Sequence, residues 1–169
     1  MRSWAMAAAC ALWLGGCQSM RTPPRIGPPP PRVGDEQAEA RYAQTLGRWT
    51  RRAEVYEGFD SRVFLATTYL SMDFRRARVE RLALFQAMPQ AESSAMLAAE
   101  REQHAEAHEF VFGVHANERG FDDFARRESS WRIAIVSSNG EALPSSVERL
   151  RRRPDANLAA VFPYIEQFW

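Results

Sequence analysis

Six prolines fall between positions 23 and 31: Pro23, Pro24, Pro28, Pro29, Pro30 and Pro31. Proline fixes φ and gives up its N–H, so a run this dense is excluded from helix interiors and central strands. Residues 18–35 therefore read as a polyproline II tether with little to bury. At about 3.1 Å per residue, such a tether reaches up to roughly 50 Å. The fold is thereby confined to residues 36–169, about the usual size of one domain. Arg21, Arg25 and Arg32 add a weak attraction to anionic surfaces.

Upstream of the tether the chain carries an address. Met1-Arg2-Ser3 supplies positive charge, and Trp4–Leu14 is an apolar run of eleven residues. A membrane span needs about 20 apolar residues, so this run has the length of a signal core instead. Gly15 and Gly16 are the small residues that a peptidase site requires. Leu14-Gly15-Gly16-Cys17 resembles the lipobox of bacterial lipoproteins, in which signal peptidase II cuts before a lipidated cysteine. The alternatives are an ordinary secretory signal or a buried N-terminal helix.

The resemblance implies a signal peptide over residues 1–16 and a mature chain that begins at Cys17. It implies a covalent lipid on Cys17 and no other cofactor. No twin-arginine pair is present, so export by the Sec route is expected. Bacterial lipoproteins carry three acyl chains. Two or more already hold a protein stably, at about 0.8 kcal/mol per buried CH2. In that family an Asp after the cysteine favours the inner membrane, so Gln18 implies the outer membrane, with the domain facing the periplasm.

The two cysteines are Cys10 and Cys17. The first lies in the signal and the second is used by the lipid, so the mature domain is expected to rely on its core, with neither disulfide nor free thiol. All 22 basic residues are Arg, which reads as the coding bias of a GC-rich genome. Loss of Arg2 leaves 21 basic and 21 acidic side chains. A neutral domain is a poor nucleic-acid binder, so no nucleic-acid partner is expected. Arg151-Arg152-Arg153, the one dense basic run, reads as a solvated turn.

Asp35 can cap a helix whose first turn holds Glu36 and Glu39. Tyr42, Leu46, Trp49, Ala53 and Tyr56 then recur at alternating steps of four and three, which predicts one amphipathic helix ending near Gly58. Val63–Leu70 reads as a buried strand. Ser71 is positioned to cap a helix over 72–88, with Phe74, Ala77, Leu82 and Phe85 inward. Pro89 interrupts it, and a second helix over 90–108 completes a helical hairpin. Phe110–Ala116 is strand-like, 117–129 a polar loop, and Trp131–Val136 a second strand. Asn139-Gly140 predicts a tight turn and a hairpin returning through Ala142-Leu143, with Pro144 limiting that partner. Ser146–Arg153 reads as a single helical turn, while 158–162 and 164–169 are apolar and aromatic. For the end at Phe168-Trp169 three readings stand: a docked strand, a gene model that stops early, and the sorting signal of outer-membrane barrels. A barrel needs more strands than this chain supplies.

The chemistry-bearing residues reduce to histidine. His104 and His108 are four apart on the expected helix, hence on one face and able to share a metal. His115 follows closely, with Glu100, Glu102, Glu106 and Glu109 around them. The stretch reads His-Ala-Glu-Ala-His, so the zinc-protease motif is absent. Glu100 and His108 are separated by about 12 Å along a helix and cannot both ligate one ion unless the helix breaks. Ordinary side-chain pairing with the glutamates is the plainer reading. Asp122-Asp123 are loop carboxylates of the kind that bind Ca2+, but without EF-hand spacing. No nucleophile elbow, dinucleotide fingerprint or phosphate loop occurs.

These readings converge on an α+β domain. The expected form is a small antiparallel sheet or sandwich with an N-terminal amphipathic helix and a helical hairpin packed on it. FDSRVFLATTYLSMDFRRA and SSWRIAIVSSNG resemble segments of lipoproteins of GC-rich, deltaproteobacterial type, a likeness that implies location and no activity. The expected function is that of a non-enzymatic binding or assembly subunit. It would be held to the membrane by its acyl chains and would meet an envelope protein. The alternatives are a metal-binding protein or metal-dependent hydrolase using His104 and His108, and an immunity or inhibitor lipoprotein.

Overall fold

The computed structural model describes residues 32–150 and 155–165. Cys17, the tether prolines, Arg151-Arg152-Arg153 and residues 166–169 lie outside them. Among the described residues the first buried side chain is Val33, whose N–H donates to the Glu39 carboxylate. Gly34 then turns the chain at φ +81°. A Cβ there would come within 3.0 Å of the Ala38 Cβ, so the turn needs glycine. Asp35 caps α1 (Glu36–Trp49) by accepting the Ala38 N–H at 2.7 Å.

Tyr42, Leu46 and Trp49 of α1 face the core. The helix stops there, whereas the apolar spacing alone would have carried it to Gly58. Thr50–Glu57 is instead β1, paired antiparallel with β2 (Asp60–Tyr69) along its whole length. The spacing of Ala53 and Tyr56 fits either state. Strand pairing, started by the Thr50–Thr68 hydroxyl contact at 2.7 Å, outweighs it. β3 (Phe110–Ala116) pairs with the other edge of β2, giving the order β1-β2-β3.

Ser71 caps α2 (Met72–Gln86) by accepting the Phe74 N–H at 3.2 Å. Ala87 ends it in the left-handed region at φ 52°, and after Pro89 the chain enters α3 (Gln90–Glu106), closing the helical hairpin. The core joins Tyr42, Ala66, Leu70 and Phe74 to Val161, Phe162, Tyr164 and Ile165. A hydroxyl chain crosses it: Thr50 to Thr68, then Thr68 to Tyr164, each at 2.7 Å.

The C-terminal third departs most from the sequence expectation. β4 (Ile135–Ser137) and β5 (Gly140–Ala142) form the expected hairpin, but its central pair is Ser138-Asn139 and Gly140 already belongs to β5. Trp131–Ala134 is not strand. The Trp131 indole donates to the Phe121 carbonyl at 2.7 Å and stacks on Phe124 at 5.1 Å, which holds this stretch as a packed loop. Residues 146–150 form no helix. The 158–162 run lies largely in α4 (Ala156–Val161), nucleated by Asp155 accepting the Leu158 N–H at 2.8 Å. Tyr164 and Ile165 dock on the core in a turn and not a strand. The fold is α+β, as the sequence predicts, with four helices and two small antiparallel sheets among the described residues.

Candidate functional site

Two of the sequence-selected histidines, His104 and His108, meet at the end of β2. Thr68 points into the core, so its neighbour Tyr69 points to the opposite face. Around the Tyr69 ring stand Trp49 at 5.7 Å, His104 at 6.3 Å, His108 at 5.8 Å and Phe110 at 5.0 Å. The Tyr69 hydroxyl and His108 Nδ1 share a hydrogen bond of 2.8 Å, and the two imidazole centroids are 5.9 Å apart.

They do not meet for the reason their spacing gives. α3 ends at Glu106, Ala107 is extended at φ −152°, and His108 lies beyond the helix. The chain bends because Leu70 N–H donates to the Glu109 carbonyl at 2.9 Å, which draws residue 109 into line with the sheet. His115 stays apart. It faces Phe64 at 6.3 Å, five residues along β3 from Phe110, or about 17 Å at strand spacing. Glu100 is buried and occupied by Arg75 and Arg78, while Glu102 and Glu106 are exposed.

Among the described residues, no group of three or more His, Cys, Asp and Glu side chains is gathered as a metal set. Zinc sites use three or four protein ligands, so this imidazole pair could hold an ion only with donors from elsewhere. What the cluster offers as it stands is an exposed imidazole steered by a tyrosine hydroxyl, with one ring nitrogen left to give or take a hydrogen bond. Two polar atoms in the same cluster, Trp49 Nε1 and His104 Nδ1, are buried without a hydrogen-bond partner. Asp122 and Asp123 do not converge on an ion. Asp122 pairs with Arg149 at 2.8 Å, and Asp123 accepts the Ser130 N–H at 2.8 Å and the Ser129 hydroxyl at 3.2 Å. The Ser130 N–H, outweighing desolvation, holds the Asp123 carboxyl below its usual range.

Sequence reasoning passed over the arginines that fix this site. Arg75 has no exposed surface. Its guanidinium donates to the Leu70 carbonyl at 2.9 Å, Glu100 at 2.6 Å, Gln103 at 3.4 Å and Glu109. One side chain thus fastens α2 to α3 and to the start of β3, one turn from His104. Arg81 does the same for the other side of the core. It donates to Ala160 O at 2.5 Å and to both Glu39 oxygens at 3.0 and 3.1 Å, and lies 4.3 Å from the Tyr42 ring centroid. Burial pushes the Glu39 carboxyl up, but Arg81 and the Val33 N–H outweigh it and hold it below its ordinary value. The signal was present in the sequence: Arg75, Arg78 and Arg81 are three apart and so share one side of α2.

Comparison of the chain with known protein families, curated proteins and solved structures finds no match. No helix among the described residues is long and apolar enough to cross a membrane. Fold and site together define a small α+β domain, cross-braced by buried arginines. It presents an aromatic-histidine cluster at one sheet end and the β1–β2 hairpin tip at the other.

Proposed function

We propose that this chain is a lipid-anchored cell-envelope protein. Cys17 carries the lipid, the outer membrane holds it, and the domain faces the periplasm. There it serves as a binding or assembly subunit for another envelope protein and catalyses no reaction. One observation carries this reading: the order of signals along the chain. An apolar run ends in Leu14-Gly15-Gly16-Cys17, the proline-rich stretch follows, and the helix-capping Asp35 and the amphipathic pattern of the domain come after it. That order serves a domain held away from its anchor. Exposed apolar side chains at Phe59, Leu84, Val136 and Leu143 support a binding role.

The test is metabolic labelling with radioactive palmitate in a bacterial host. The wild-type chain takes up label and the Cys17→Ser variant accumulates as an unlabelled precursor. Normal processing of that variant to a soluble protein refutes the anchor.

A second reading, a metal-binding protein or metal-dependent hydrolase, is supported by the close approach of the His104 and His108 rings. It requires stoichiometric metal in the purified mature protein, lost in His104→Ala/His108→Ala.

A further inference from the structure

We propose that the β1–β2 tip is the docking anchor of this domain, with the Phe59 ring entering an apolar pocket rimmed by basic side chains on a partner protein. This rests on the binding role proposed above and gives the partner's surface its chemistry.

The connection between the strands is two residues long, since Glu57 pairs with Asp60. Gly58 has φ +62°, while Phe59 does not share the positive φ. Positive φ at the first central position alone is the type II′ pattern, whose twist matches that of the flanking strands. The ring is therefore carried on a defined turn at the end of a fully paired hairpin. Its relative exposure is 105%, so the domain buries none of it. Burying a phenylalanine is favourable, and here that gain is unused within the chain. A large apolar group presented on a rigid turn loses little freedom on binding, which suits it as an interface anchor.

The charge around it selects the occupant. Between residues 54 and 62 the carboxylates Glu54, Glu57 and Asp60 stand against the guanidinium of Arg62. Arg62 is bonded to both Glu57, at 2.9 Å, and Glu118. Tyr56, half-exposed, donates its hydroxyl to Glu54. An acidic collar repels anionic lipid headgroups, and it repels the same collar on a second copy meeting it tip to tip. The complement is an apolar pocket bordered by Lys or Arg.

The test places the photo-crosslinker p-benzoylphenylalanine at position 59 of the full chain in cells, with a parallel chain carrying it at the exposed Val136. Replacement at 59 leaves the core untouched. Position 59 is expected to give one discrete protein adduct, mapped beside Lys or Arg on the partner. Glu54→Arg/Asp60→Arg should cut its yield at least ten-fold. A lipid adduct, an adduct between two copies, or an adduct indifferent to that charge reversal overturns the proposal. An adduct at 136 alone overturns it while the binding role stands; no protein adduct at either position removes both.

Discussion

Arg75 of α2, with no exposed surface, holds Glu100 of α3 at 2.6 Å. Glu100 also receives Arg78, and Arg75 also reaches Glu109, so the pair is the centre of a four-membered charge network. Buried charges are tolerated only when paired, and removing one partner leaves the other without compensation, at about 3–5 kcal/mol. Glu100→Gln should therefore lower urea-unfolding stability by about 3 kcal/mol. A cycle with Arg75→Met should give a coupling above about 1 kcal/mol. Additive effects would show that the two side chains do not act as a unit.

The end of α2 is a place where the chain can be improved. Ala87 sits in the left-handed region, where an L side chain costs roughly 1–2 kcal/mol and glycine almost nothing. Ala87→Gly should raise stability by about 1 kcal/mol, read as a higher urea midpoint with unchanged slope. An unchanged or lower midpoint contradicts the assigned cap.

Gly58 tests the turn that carries Phe59. Nothing lies within 4 Å of a Cβ built there, so crowding is absent and only the backbone resists a side chain. Gly58→Ala should cost about 1 kcal/mol. A loss several times larger would mean that the tip is packed and not free.

Two buried phenols predict alkaline sensitivity. Burial pushes Tyr164 up to about 12, against a hydrogen bond with Thr68 that lowers it. Burial likewise raises Tyr42, whose hydroxyl donates to the Val161 carbonyl at 2.6 Å, with Arg81 pulling the other way. The folded state keeps these protons where the unfolded chain, titrating near 10, has lost them. Their contribution is whole below pH 10 and drains as pH rises toward 12 and beyond. Thermal unfolding from pH 8 to 12 should show a falling midpoint above pH 10, and Tyr164→Phe should flatten that fall. Equal slopes for wild type and variant would remove Tyr164 from the account.

Much of the fold was legible because local chemistry and tertiary structure agree. Ser71 caps where a cap was expected, Pro89 divides the hairpin, and β3 has its expected bounds, Phe110–Ala116. Legibility failed where a pattern fits two states. Ala53 and Tyr56 continue a helical stripe yet also alternate acceptably in β1, and pairing with β2, which no local window contains, decides between them. Leu158–Phe162 reads only as an apolar run with no assigned state, and Asp155 caps a short helix there that core packing completes. The histidines were found for a partly wrong reason. His104 and His108 do meet, across a helix end and around Tyr69, and Glu100 is committed to arginines. Arg75 and Arg81 were missed because hydropathy assigns arginine to the surface. Their burial follows from carboxylates distant in sequence, Glu39, Glu100 and Glu109.

The central claim is the anchor at Cys17, and mass spectrometry of the N-terminal peptide of membrane-extracted protein tests it most directly. The account predicts a peptide beginning at Cys17 and bearing a thioether-linked diacylglycerol and an amide-linked acyl chain. A peptide that retains Met1, or one cut elsewhere with Cys17 unmodified, would contradict it.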